Sequence, residues 1–173
     1  MSLVRLIYTS RVSTGFSAAE VKKILTASTR HNPPLGLTGL LCCDGRHFLQ
    51  CLEGSRQAVN DRYARILSDS RHHDVVLLGY GEIVARQFGA WAMGYVALSS
   101  SEETAAQHDV MLRLDAAAMP ADDVKPHAVS LPMARAPFLK YSATPSFDPY
   151  GLSEAGALGL LGELGTLLAT GHL

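Results

Sequence analysis

Apolar positions along the chain change their period several times, and each change marks an element. Leu3 to Thr9 is a short apolar, β-branched run that predicts a buried strand. Ser17 followed by Glu20 has the spacing of a capping box, in which each side chain reaches the other's free backbone amide. Val21, Ile24, Leu25 and Ser28 then recur at helical spacing, so a helix is expected to about Thr29, with Pro33 and Pro34 barring its continuation. Leu37 to Cys43 and His47 to Glu53 read as two strands joined through Asp44-Gly45, a strong hairpin dipeptide. Ser55 is placed to cap a second helix whose apolar face carries Val59, Tyr63, Ile66 and Leu67. Val75 to Leu78 opens a fourth strand, broken at Gly79 and Gly81 and continuing to about Val84. Trp91 to Leu98 reads as a fifth.

The order β-α-β-β-α-β-β implies an α+β fold. Two right-handed crossover units give a ferredoxin-like sandwich with one five-stranded mixed sheet and both helices on one face. The other face is left for the C-terminal helices. Ser101, Glu102 and Glu103 start one of them, with Val110, Met111, Leu114 and Ala118 as its stripe. Ser153 caps the last, in which Leu160, Leu161, Leu164, Leu167 and Leu168 share a face. Gly156, Gly159, Gly162 and Gly165 each cost that helix about 1 kcal/mol relative to Ala. It is therefore expected to be stable only when docked on the sheet or on another chain.

Composition narrows the function. The 173 residues are 47% hydrophobic and 18% charged, with a formal net charge of −1, which excludes a disordered chain and a strongly cationic nucleic-acid binder. No apolar run approaches the ~18 residues of a membrane span, and no secretory leader is read. Residues 1–98 carry 11 basic and 7 acidic side chains, whereas residues 99–173 carry 4 and 9. Six of the eight prolines fall between Pro120 and Pro149. These shifts divide the chain into a domain at 1–98 and an extension at 99–173 with an irregular connector at 119–150. Cys42, Cys43 and Cys51 lack the spacing of a disulfide framework or a zinc site and read as buried thiols of a cytoplasmic protein. His72-His73 diverge on one segment and are joined by no further ligands, so no metal is expected.

Several polar residues stand where a purely structural pattern would place apolar ones. They are Tyr8 in the first strand, Gln50 in the third, His31 and Asn32 after the first helix, and Asp69, Arg71 and His72 after the second. Each alone is unremarkable. The gap between the two helices opens above the central strands, and Tyr8, Gln50 and Asn32 are placed to converge there on one buried polar object.

Residues 1–98 resemble the BLUF family, blue-light sensors that bind flavin. The resemblance is carried, in order, by Leu6-Ile-Tyr-Thr-Ser10, Asn32, Gly36-Leu-Thr-Gly-Leu-Leu41, Asp44-Gly45, Phe48-Leu-Gln-Cys-Leu-Glu-Gly54, Asp69-Ser-Arg-His72, Arg86-Gln-Phe88 and Trp91-Ala-Met-Gly94. Leu37 stands where the family usually has Ile, and Thr29 where many members have Arg, with Arg30 adjacent. The resemblance implies photoactive roles for Tyr8 and Gln50, with Gln50 between the tyrosine and flavin N5/O4. It implies that Asn32 bonds the ring edge at O4 and N3, and that Ser10, Trp91 and Met93 neighbour the switch. It puts Arg30, His31, Asp69, Arg71 and His72 near the far edge of the ring, the ribityl chain and the phosphates. The implied cofactor is FAD, with FMN or riboflavin as alternatives. The implied chemistry is a light-driven rearrangement of hydrogen bonds with no net redox change. A glutamine suits it because one rigid amide offers both a donor and an acceptor.

The function expected is a photoreceptor rather than an enzyme, because 99–173 is too short for a cyclase or phosphodiesterase. Its output would be a homo-oligomer or a protein partner, without direct nucleic-acid or membrane contact. Two alternatives share the topology: a ferredoxin-like interaction module without active cofactor, and a small enzyme such as an acylphosphatase. Colour separates the first reading from both.

Overall fold

A computed structural model describes residues 2–100, 127–132, 137–142 and 146–170. β1 (Leu3–Val12), α1 (Ala18–His31), β2 (Thr38–Cys43), β3 (His47–Ser55), α2 (Arg56–Leu67), β4 (His72–Ile83) and β5 (Gly94–Ser99) follow in the expected order. Two further elements come after them, β6 (His127–Pro132) and α3 (Glu154–Thr170). The strands form one sheet in the order β4-β1-β3-β2-β5-β6. The first four make the antiparallel ferredoxin-like core, and β5 and β6 add in parallel at the β2 edge.

The alternation of side chains along each strand builds two cores. Leu6, Tyr8, Leu41, Leu52 and Tyr95 point to the face covered by α1 and α2, where Val21, Leu25 and Val59 meet them. Ile7, Leu40, Cys42, Leu49, Cys51, Val96 and Leu98 point to the other face, beneath Leu160, Leu161 and Leu164 of α3. The leucine stripe is thus docked on the sheet. Its glycines are positions of close approach. A Cβ on Gly162 would stand 2.4 Å from Gln87 Nε2, and one on Gly165 would stand 3.3 Å from the Phe88 and Trp91 rings.

Five local expectations are corrected. Among the described residues the sheet has six strands, because β6 lies within the stretch read as an irregular connector; its His-Ala-Val-Ser-Leu-Pro segment, buried over its last four residues, pairs with β5. β4 continues through Gly79 and Gly81 as one strand, with a shift in its pairing to β1 between Leu77 and Gly79. Gly79 instead admits the Glu154 side chain, whose Cδ would lie 2.3 Å from a Cβ there. The capping box does not close, since Ser17 makes no side-chain cap bond and Glu20 pairs with Lys23 at 2.7 Å. Leu67 is 54% exposed at the end of α2 and does not join its apolar face. The last strand of the sensor begins at Gly94, so Trp91 and Met93 precede it and do not share a strand face. Two local readings agree with the structure: Ser55 Oγ accepts from the Ala58 amide at 3.3 Å, and Gly45 turns the β2–β3 hairpin with φ 84°. The helix expected at 101–118 lies outside the described residues.

Candidate functional site

β1 and β3 pair with Tyr8 directly opposite Gln50, both on the face beneath α1 and α2. That register places the phenol and the amide side by side. Tyr8 Oη donates to Gln50 Oε1 at 2.6 Å, and Gln50 Nε2 donates to Met93 Sδ at 3.3 Å. The three side chains are buried, at 4%, 5% and 2% exposure. Burial, with Tyr63 and Asp69 nearby, pushes the phenol's pKa up, so Tyr8 keeps its proton throughout the physiological range.

Asn32 ends α1 and turns the chain into β2. Its amide donates to Ser28 O at 2.9 Å, and its carbonyl accepts from Leu35 and Leu37 at 3.1 and 3.0 Å. Its Nδ2 donates to Ala92 O at 2.8 Å, which leaves Oδ1 buried without a partner among the described residues. His72 shows the same asymmetry. The Ile66 carbonyl can only accept, so the contact at 2.8 Å is a donation from Nε2–H, and Nδ1 is buried without a partner among the described residues.

These residues line a cavity of about 220 Å³ between the helices and the sheet. Tyr8, Gln50, Met93, Leu41 and Leu52 form its floor; Ile24, Ala27, Ser28 and Asn32 close one side, and Ile66, Asp69, Arg71 and His72 the other. Asp69 and Arg71 form a close pair at the rim, with Arg71 Nε 2.9 Å from Oδ1. Hydrogen bonds from Arg71 hold the Asp69 carboxyl below its usual range.

Two cations that line this cavity were not anticipated. Arg62 and Arg65 reach it from one turn of α2. Burial lowers the pKa of Arg62, and Arg65 adds to the effect. The sequence carried a trace of them: Val59, Arg62, Tyr63 and Ile66 share helical spacing, so Arg62 interrupts an apolar stripe. Four expected residues lie elsewhere. Arg30 and His31 are exposed, and His31 Nδ1 turns back to Ala27 O at 2.8 Å. Ser10 is buried beside the site without lining it, its hydroxyl unpaired among the described residues. Trp91 is on the opposite side of the sheet from Met93, packed against α3.

The cavity suits a flat, mostly apolar ring with a polar edge. Its lining mixes aliphatic with polar side chains, its unpaired buried groups include the acceptor Asn32 Oδ1 and the donor Arg62 Nε, its floor carries an amide and a phenol, and its rim carries arginines for an anionic tail. A flavin has those parts.

Comparison with known proteins points the same way. Residues 3–94 match the family described as BLUF, sensors of blue light using FAD. The blue light- and temperature-regulated antirepressor BluF of Escherichia coli is 33% identical over 91 residues, 53% of this chain and 23% of that protein. The beta subunit of a photoactivated adenylate cyclase from Euglena longa is 33% identical over 93 residues, 53% of this chain and 11% of that one. The chain thus spans a quarter or less of the length of these relatives. Among solved structures, the dark state of the BLUF protein BlrB is 35% identical with a TM-score of 0.55, covering 68% of this chain and 86% of that one. The photo-activated state of BlsA shares the fold at 22% identity with a TM-score of 0.65, covering 94% of each chain.

Proposed function

We propose that Tyr8 and Gln50 form the light switch of this protein, which belongs to the BLUF family of blue-light sensors using FAD. As a member it is a flavin-binding blue-light photoreceptor, and its BLUF domain is a sensor rather than a catalyst. The observation that carries the switch is the 2.6 Å bond from the Tyr8 hydroxyl to Gln50 Oε1 at the floor of the cavity.

Bound above that floor, the flavin supplies a blue-absorbing ring that becomes a one-electron oxidant when excited. The remaining work belongs to the chain. Asn32 Oδ1 offers an acceptor to the ring's polar edge, His72 Nδ1 faces the cavity from the opposite wall, and the aliphatic side chains of the lining help exclude water. Arg62, Arg65 and Arg71 hold the anionic tail; this replaces Arg30 and His31 in the proposed binding set. Tyr8 would give up an electron from its ring and with it the hydroxyl proton, which would move along the short bond to Gln50 Oε1; electron and proton would both return, so no net redox change would remain. The return leaves the Gln50 amide turned or tautomerised, with its donor withdrawn from Met93 Sδ. A lasting change of hydrogen bonding with no net redox change is the signal. Ser10 supports Tyr8 from beside the site. Trp91 acts through its contacts with α3 rather than at Gln50.

The sensor is assigned to 1–98 and the output to 99–173. Since α3 spends its leucines on the sheet, a homo-oligomer or downstream protein partner is proposed to bind a surface other than that stripe. The output is proposed to be this contact rather than catalysis, with no nucleic-acid or membrane partner. A cytoplasmic location is supported by three buried free thiols. No helix among the described residues is long and apolar enough to cross a membrane. The purified protein tests the reading: it should be yellow and show a small, reversible red shift under blue light. A colourless protein, or a yellow one without the shift, contradicts it.

A further inference from the structure

Glu53 is fully buried on β3 and faces away from the cavity, yet it is tied to the segment that carries Met93. Its carboxylate accepts from Arg5 Nε and Nη2 at 2.9 and 2.7 Å, and from the Gln87 and Phe88 amides at 3.0 Å each. Arg86 reinforces the same anchorage, donating to the Glu53 carbonyl at 2.8 Å and to Gly36 O at 2.6 Å. From Phe88 the chain passes from one face of the sheet to the other beside the start of β2 and leads into β5. Trp91 stays on the α3 side, the Trp91 carbonyl takes the Gly39 amide at 3.3 Å, and Met93 arrives on the cavity side against Gln50. One rigid strand therefore holds both ends of a short segment, Glu53 at its start and Gln50 at its end.

Resting on the Tyr8–Gln50 switch proposed above, we infer that Glu53 is a positioning residue. It keeps the 87–93 segment taut so that Met93 sits on Gln50. When the Gln50 amide turns and Met93 gives way, the load falls on the bonds between Glu53 and the two amides. That load returns the switch to its starting state. The Arg5 guanidinium pairs with the same carboxylate at 2.7 Å, so the two amides bond to a member of a buried ion pair. Gln87 and Phe88 also touch α3 at Gly162 and Gly165, so the same load reaches the far face.

The test uses the full flavin-loaded chain. Glu53→Gln keeps the size but puts a donor where an amide N–H points. Arg5→Met combined with Glu53→Leu replaces the buried ion pair by apolar groups, a change that commonly preserves stability. It therefore separates positioning from folding if the single variant is unstable. In either variant with parental flavin content, dark recovery should slow about tenfold, the worth of one charge-assisted bond. Amide exchange at Gln87 and Phe88 should rise in the dark. A recovery rate within about twofold of the parent or faster, or unchanged exchange at those amides, overturns the inference. Loss of the red shift in the unsubstituted protein would instead sink the switch itself.

Discussion

Asn32→Ala removes a side chain that does two jobs at one point. Its Nδ2 satisfies the Ala92 carbonyl at 2.8 Å, just before Met93, and its Oδ1 is a buried acceptor on the cavity wall, 1% exposed as a residue. Truncation leaves the Ala92 carbonyl unpaired, which costs about 1–3 kcal/mol. For a chain of this size, that corresponds to a melting temperature lower by roughly 2–10 °C. Removing the acceptor takes one further bond from the bound ring. A loss of about 1.4 kcal/mol there weakens flavin binding about tenfold. Asn32→Asp separates the two effects: it keeps an acceptor but sets a carboxylate oxygen against the Ala92 carbonyl. It should melt at least as low as the Ala variant. Thermal melts of the flavin-free protein and fluorescence titration with FAD read the two losses independently. An Ala variant with parental melting temperature and parental affinity would refute the reasoning.

Other consequences are as direct. Gly39→Ala would set a Cβ 2.1 Å from the Cys51 carbonyl oxygen in the middle of the sheet, so the variant should fail to give soluble, flavin-loaded protein; a well-expressed yellow variant would contradict this. Trp91→Phe should lower thermal stability while leaving the amplitude of the red shift intact, because the ring packs against α3 and not Gln50; loss of the shift with flavin retained would place Trp91 in the switch. Arg71 holds the Asp69 carboxyl low, so the pair's contribution to stability is present above the ordinary carboxylate range and is lost as pH falls through the depressed value; acid unfolding of the parent should show that loss and Asp69→Asn should not, and the same pH dependence in both would contradict it. Burial pushes all three thiols up, Cys43 to about 12, so alkylation should label none in the native protein and all three in denaturant, as read by mass spectrometry.

The sheet core was legible because strand alternation and the Asp44-Gly45 turn are local signals. The cavity floor was legible for the same reason: Tyr8 and Gln50 are polar side chains on the buried face of apolar strands. Tertiary contacts hid the rest. Gly79 and the α3 glycines look like breakers in sequence, but each makes room for a side chain from a distant element. Trp91 and Met93 are two residues apart and would share a face in a strand; the chain is not yet a strand there, so they part across the sheet. Arg30 and His31 sit next to Asn32 in sequence, yet at the end of a helix neighbours diverge by roughly 100°. Only Asn32 of the three turns inward. Arg62 was overlooked because a lone cation in a stripe reads as a solvated flank, and only the packing of α2 on β1 and β3 shows that its Nε is buried.

The central claim is that the Tyr8–Gln50 bond is the switch, and the light-minus-dark spectrum of Gln50→Leu beside Tyr8→Phe and the parent tests it most directly. Leucine fills much the same space as glutamine but can neither accept from Tyr8 nor donate to Met93; phenylalanine keeps the ring of Tyr8 and loses its proton. Both variants should remain yellow and show no reversible red shift, while the parent shows one that decays in the dark. A reversible, parent-like shift in Gln50→Leu would contradict the account.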